Sequence, residues 1–309
     1  MVVNNQYVRT GQLDPAELLV EQDVTEEVAS LLDGIDGKVE RMARVLSRKK
    51  PPGVSIGPHC FTPYECPFIT ECCGSPPGGD SVMNLVGDRK LSFALVNEGI
   101  TSLAKIPAAW LRNPKQLVQV RAHRQKKAHV DRNAIRRFLD SIQYPAFFLD
   151  LETVGSPIPL YDRTRPWEHV PFQFSLRIVR RKGAEPVHHV YLADGKADPR
   201  PEILKRLRTL LGDKGSIIAY NATFEKNCLE KAAEAYPSNA GWFRRNRERF
   251  LDLLQPFREF AYYSPKQGGS TSLKNVLPAL TGRDPYEGLA IADGGVAGAE
   301  FCRVTFESG

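Results

Sequence analysis

The sequence predicts an α/β protein, with a mixed β-sheet flanked by helices preceded by a mainly helical region with a Cys-rich loop. Three observations carry this. Apolar residues recur at helical spacing in the first half of the chain. Strand-like apolar runs begin near Gln143. Those runs come first in succession and then separated by helical segments, the order expected of a mixed sheet. At 309 residues the chain has room for two ordinary domains, which this pattern places at 1–142 and 143–309.

In the first region Val28, Leu31, Leu32, Ile35, Val39, Met42 and Leu46 lie three and four residues apart. Residues 24–48 therefore read as one amphipathic helix, capped by Asp23 or Thr25 and ended by "KKPPGVSIGP". A Cys- and Pro-rich loop spans 59–80, and 91–138 reads as helical with breaks at "EGITSLAKIP" and Asn113-Pro114. In the second region "AFFLDLETV" reads as a strand, followed by an irregular loop from Gly155 to Pro171. "FQFSLRIVRR" and "PVHHVYLA" read as the next two strands, joined by a Lys-Gly-Ala turn. Then come the helix "PRPEILKRLRTLL", the strand "GSIIAYN" and the helix "ATFEKNCLEKAAEAY". "ERFLDLL" is the candidate fifth strand, and "SLKNVLPALTG" a short helix with Gly282 near its end.

Composition narrows the classes. The chain has no apolar run of about 18 residues, so no membrane span is expected. "MVVNNQYVRTGQ" lacks the basic and then apolar pattern of a signal peptide, which favours a cytoplasmic protein. Net charge is +6, and it is unevenly placed. Asp14 to Glu40 is acidic, whereas Lys105 to Arg137 carries ten Lys or Arg, Lys126 and Lys127 among them, against Asp131 alone. A run of that kind either attracts a polyanion such as DNA or RNA or is a solvated helix face.

The chemistry is concentrated in "FFLDLETV". Residues two apart on a strand share a face, so Asp150 and Glu152 project together while Leu149, Leu151 and Thr153 point the other way. Two carboxylates that close repel each other, and burial raises at least one pKa. A hard divalent cation relieves the conflict; a solvated strand end would do so too. A third acid follows in "IIAYNATFEKNCL", where a strand ending at Asn221 runs into a helix that presents Phe224 and Glu225 in its first turn.

On these residues the chain resembles the DEDD exonuclease family, whose fold is ribonuclease H-like. "DLET" matches that family's first motif, and "YNATFE" matches its second with Glu225 in place of the usual Asp. "GSTSLKNVLPALTG" resembles the Ser-Leu helix that precedes the third. Together with "IPLYDRTRPWEHVPFQFSL" and "DLLQPFREFAYYSP", these segments resemble a bacterial family described only as a domain of unknown function, in which a RecB-like nuclease module precedes the DEDD-like half. The resemblance implies a metal-dependent 3′-to-5′ exonuclease that hydrolyses DNA or RNA with two Mg²⁺ or Mn²⁺ ions. Asp150 would bridge them, and Glu152 and Glu225 would complete their shells. Asn221 would orient the second motif or serve only as a turn residue, and Lys126 and Lys127 would contact the substrate. Asp252 is a further candidate from the neighbouring strand. The third motif is expected to lie beyond Gly309, with Asp293 and Glu300 as the remaining acids near it. A catalytically inactive nucleic-acid-binding or scaffold module is the alternative.

Cys60, Cys66 and Cys72, with Cys73 adjacent, suit a sulfur-rich tetrahedral site in a Pro-turned loop, or a set of reduced buried thiols. Their spacing resembles the C-terminal cysteines of RecB-like iron–sulfur nucleases. An iron–sulfur cluster, or Zn²⁺ in its place, is what that resemblance implies, with His59 as a further possible ligand. A purely structural metal domain centred on these cysteines is a third reading. Cys228 and Cys302 stand apart as core residues. Trp167 and "AYYSP" offer aromatic faces for bases or for the core. His188 and His189, adjacent in a strand, face opposite ways and make a poor metal pair.

Overall fold

The computed structural model describes residues 1–73, 79–87 and 89–307; the side chain of Cys73 is outside that set. The periodic segment at 24–48 forms two helices rather than one, α1 (Thr25–Leu32) and α2 (Ile35–Leu46). Gly34 separates them at φ +80°, a left-handed conformation that costs glycine little because it has no Cβ. The N-cap position is Val24 and has no side-chain cap; Asp23, one residue earlier, instead accepts the Thr25 N–H through Oδ1 at 2.9 Å. Val28, Leu31, Leu32, Ile35, Val39, Met42 and Leu46 remain exposed, so periodicity located the helices and not a partner for them.

Next come α3 (Arg89–Asn97), α4 (Pro114–Gln125) and α5 (Arg132–Asp140), with short 3₁₀ turns in the foreseen break. Asn113 and Gln116 form a reciprocal capping box at the start of α4, where Pro114 occupies the first turn at no hydrogen-bond cost. Val82, Leu85, Leu95, Leu103, Ile106 and Val120 make a small core of their own. This region is fastened to the rest of the chain. His129 and Val130 pair antiparallel with Tyr263 and Tyr262. The buried Tyr263 hydroxyl lies 3.1 Å from Gln119 Nε2 and 3.0 Å from His123 Nε2. The tyrosines of "AYYSP" therefore serve packing and pairing.

The second region holds a five-stranded mixed sheet. Its strands are β1 (Ala146–Val154), β2 (Val170–Val179), β3 (Val187–Leu192), β4 (Ser216–Ala219) and β5 (Phe250–Asp252). Their spatial order is β3-β2-β1-β4-β5. The hairpin-linked β1, β2 and β3 are antiparallel, while β4 and β5 run parallel to β1 after helical crossovers. The crossovers are α6 (Arg200–Leu211) and α7 (Ala222–Ala235). Alternation in β1 sends Phe147, Leu149 and Leu151 into one core with Phe174, Leu176, Ile203, Leu204, Leu207 and Ile217. Asp150 and Glu152 stand on the other face.

Later in the chain come α8 (Leu273–Thr281) and α9 (Gly294–Cys302). The second lies along β1, where Phe301 stacks on Phe172 with ring centroids 4.2 Å apart. Gly298 permits that approach, since a Cβ there would lie 3.0 Å from the Thr153 carbonyl oxygen. Among the described residues no helix is long and apolar enough to cross a membrane.

Candidate active site

A cavity of about 660 Å³ opens beside the end of β1, lined by Asp150, Glu152, Thr153, Trp167, His169, Phe224, Glu225 and the glycine side of α9. The three acids singled out from the sequence thus face one space. Each is brought there by a different local device.

Asp150 and Glu152 follow from the strand period. Their neighbours across the ladder are Ser175 and Gln173, and the register slips between Glu152 and Thr153. An irregularity of this kind re-aims side chains at a sheet's functional end. Thr153, expected to share the Leu149 and Leu151 face, instead has its Oγ1 3.0 Å from His169 Nδ1. His169 packs edge-on against Phe224, centroids 5.2 Å apart.

Glu225 comes from the turn after β4. Asn221 sits at φ +66°, ψ +51°, a conformation asparagine tolerates better than most residues, and the chain turns there into α7. One helical turn later Glu225 is buried, only 4% exposed. Asn221 is itself exposed and does not line the cavity. Asp252 Oδ1 accepts the N–H groups of Asn221 at 2.9 Å and Leu254 at 3.0 Å, so Asp252 fixes the turn.

Of the three acids only Glu225 is buried; Glu152 is half-buried and Asp150 exposed at the cavity edge. Burial pushes the Glu225 pKa up to about 7, with Asp150 and Asp252 adding like-charge repulsion. Burial also raises Asp150. Glu152 is raised by burial first, then by Asp150 and Asp293. Among the described residues Glu225 Oε2 has no hydrogen-bond partner, which for a buried carboxylate oxygen is costly. None of the cavity's described lining residues is Lys or Arg. The acids face the space without converging on a point. Among the described residues no three His, Cys, Asp or Glu side chains are grouped to hold an ion.

The other candidates lie elsewhere. Lys126 caps α4 in a left-handed conformation and lines a different cavity with Asp80, His123, Tyr262 and Lys266; Lys127 is exposed beside it. Part of the basic run is used internally, since Arg124 donates to the carbonyls of Ala104 and Ile106. Asp293 caps α9 through the Gly295 N–H and pairs with Lys274 at 3.1 Å. Glu300 pairs with Arg303 at 2.7 Å. Cys60 and Cys66 pack with Ile56, Phe61 and Phe93, Cys72 is exposed, and Cys73's side chain lies outside the described residues. The described thiols do not assemble a metal or cluster site. Cys228 is core, while Cys302 reaches the cavity wall.

Sequence reasoning missed two contributors, α9 and His169. Asp293 followed by two glycines and then Val296, Ala297 and Phe301 at helical spacing was the available signal for α9. His169 carried none.

Residues 147–272 match the family model described as "Domain of unknown function (DUF2779)". The match covers Asp150, Glu152, His169, Asn221, Glu225 and Asp252, and stops before α8 and α9. Among curated proteins nothing matches the chain.

Proposed function

We propose that this protein is a metal-dependent phosphodiester hydrolase, a nuclease acting on DNA or RNA from the 3′ end, with a ribonuclease H-like fold. The observation that carries the reading is Glu225, a buried carboxylate with an unpartnered oxygen, sharing one cavity with Asp150 and Glu152. Glu225 is buried, with the exposed Asp150 and half-buried Glu152 on the same cavity and no Lys or Arg among its described lining residues. The three supply oxygen atoms of the kind hard cations prefer, though they are not gathered on one point. Asp150, Glu152 and Glu225 are the residues that would hold Mg²⁺ or Mn²⁺. Such ions, when bound, supply an activated water and neutralise charge on a phosphoryl group. The mixed sheet with the acidic strand at its centre supports the fold reading.

The chain's own groups then have distinct tasks. Asp150 and Glu152 form an acidic edge on one rigid strand, which fixes their separation. Glu225, whose burial pushes its pKa up to about 7, would have to give up its proton to hold a cation. His169, held against Thr153 and Phe224, puts an imidazole in the cavity wall.

One observation favours a second reading, a nucleic-acid-binding module without turnover. The two remaining acids near the site, Asp293 and Glu300, are already committed to Lys274 and Arg303. The test is release of nucleotides from an end-labelled single-stranded oligonucleotide with Mn²⁺. Cleavage that disappears in Asp150→Asn and in EDTA supports the hydrolase. Salt-sensitive binding without cleavage supports the module, and cleavage unaffected by Asp150→Asn defeats the proposal.

A further inference from the structure

We infer that Trp167 is a stacking platform for a nucleobase of the strand whose phosphate meets the carboxylates, an inference that rests on the nuclease reading and extends it to how substrate is held. Trp167 lines the same cavity as Asp150, Glu152 and Glu225 and is 58% exposed. Single exposed aromatics are ordinary on protein surfaces. This one is held in an unusual way. Its φ is +63°, in the left-handed region that bulky residues rarely enter. Such conformations persist only where the surroundings over-determine them, and they gather at ligand sites.

The surroundings do over-determine it. The Trp167 N–H donates to the Ser156 carbonyl at 2.8 Å, closing the loop on itself. Gly155 adjoins it, and a Cβ there would make only ordinary contacts, 3.5 Å from the Trp167 carbonyl oxygen and 3.7 Å from the His169 ring. The Glu168 carboxylate accepts the Arg165 N–H, and the Arg165 guanidinium donates to Gln6. Further back, Arg9 exchanges backbone hydrogen bonds with Arg163 and Thr164. A segment more than 140 residues away in sequence thus braces the loop that carries the indole.

The charge of the cavity says what the indole is for. A nucleic acid ordinarily gains affinity from Lys and Arg on its phosphates, and no described lining residue supplies them here. Affinity at this spot must come from bound cations and from the bases. Base-on-aromatic stacking needs no particular base, because every base has a π-face. Phe224 cannot serve, since it is half-buried and its ring meets the edge of His169. Among the described lining residues Trp167 is the exposed large aromatic, at 58%.

The experiment separates bases from phosphates. Binding of labelled oligothymidylate is compared with binding of an abasic phosphodiester chain of the same length and charge, with Ca²⁺ present, for the unmodified protein, Trp167→Ala and Trp167→Phe. The unmodified protein is expected to prefer the base-bearing chain by about 10-fold. Trp167→Ala should abolish the preference, and Trp167→Phe should keep most of it. A preference unchanged in Trp167→Ala, or none in the unmodified protein, overturns the inference. Mn²⁺-dependent cleavage, measured alongside, tells the two proposals apart. Trp167-dependent base preference without cleavage leaves the platform standing and removes the nuclease; cleavage without such preference does the reverse.

Discussion

The carboxylate of Asp252, the last residue of β5, and the backbone N–H of Asn221, just past the end of the parallel β4, are 2.9 Å apart. This contact holds the left-handed turn from which α7 carries Glu225 into the cavity. Asp252→Ala removes acceptors for two backbone donors and is expected to cost about 1–3 kcal/mol. Asp252→Asn keeps an oxygen and should cost less. Urea unfolding midpoints of the two variants check the order.

Glu225 makes stability fall with rising pH. Its folded pKa of about 7 lies above its ordinary value of 4.5, so the folded chain keeps a proton that the unfolded chain gives up. The penalty is absent below pH 4.5, grows toward pH 7 and is complete above it, reaching up to about 3 kcal/mol. Glu225→Gln should flatten this part of the profile and be the more stable protein at pH 8 in EDTA. Parallel unfolding curves for the two proteins at pH 5 and pH 8 would contradict it.

The same group links stability to cations. At pH 8, Mn²⁺ is expected to raise the melting temperature of the unmodified protein and to raise that of Asp150→Asn and Glu225→Gln much less. Differential scanning fluorimetry across a Mn²⁺ titration reads the difference. Equal shifts in all three would place the ion elsewhere.

Arg200 is 1% exposed and pairs with Asp198, which also accepts the Tyr236 hydroxyl. Its guanidinium also donates to the carbonyls of Asp162 and Arg163, in the loop that leads to Trp167. Arg200→Ala leaves Asp198 without its cation and is expected to cost about 3–5 kcal/mol. Limited proteolysis should show new cutting within 155–169.

Gly298→Val tests the packing of α9 on β1. A Cβ alone would sit 3.0 Å from the Thr153 carbonyl oxygen, and two methyls must displace the helix. A loss of about 1–3 kcal/mol is expected in thermal unfolding.

Much of the sheet was legible because strand and helix periods are local. Phe147, Leu149 and Leu151 announce a buried face, and the acids between them an open one. The Asn221 turn was legible as well, since few residues accept its geometry. The 24–48 segment shows the limit of periodicity: Gly34 divided it, and nothing in the spacing said whether its apolar side would be covered. The slip at Glu152 and Thr153 was hidden because it depends on which residue of β2 lies opposite. The loop around Trp167 was hidden for a similar reason, since its supports, Arg9 and Arg200, lie far away in sequence. Of the candidate site, the acids were named by type and spacing, while Lys126, Lys127 and the cysteines were named by composition and sit apart from them.

The brace between Arg9 and the 163–164 backbone, and the seating of α9 on β1, set an order of events during synthesis. The segment around Arg9, already paired with residues 18–20, gains its brace only once residues 163–164 have been made. The cavity lacks a wall until residues 294–302 arrive. Contacts of such long sequence separation form slowly, after loop closure has been offset. Until then the acidic face of β1 lacks the helix that flanks it in the folded protein. The half-made chain therefore carries the acids of the site before the cavity around them is complete.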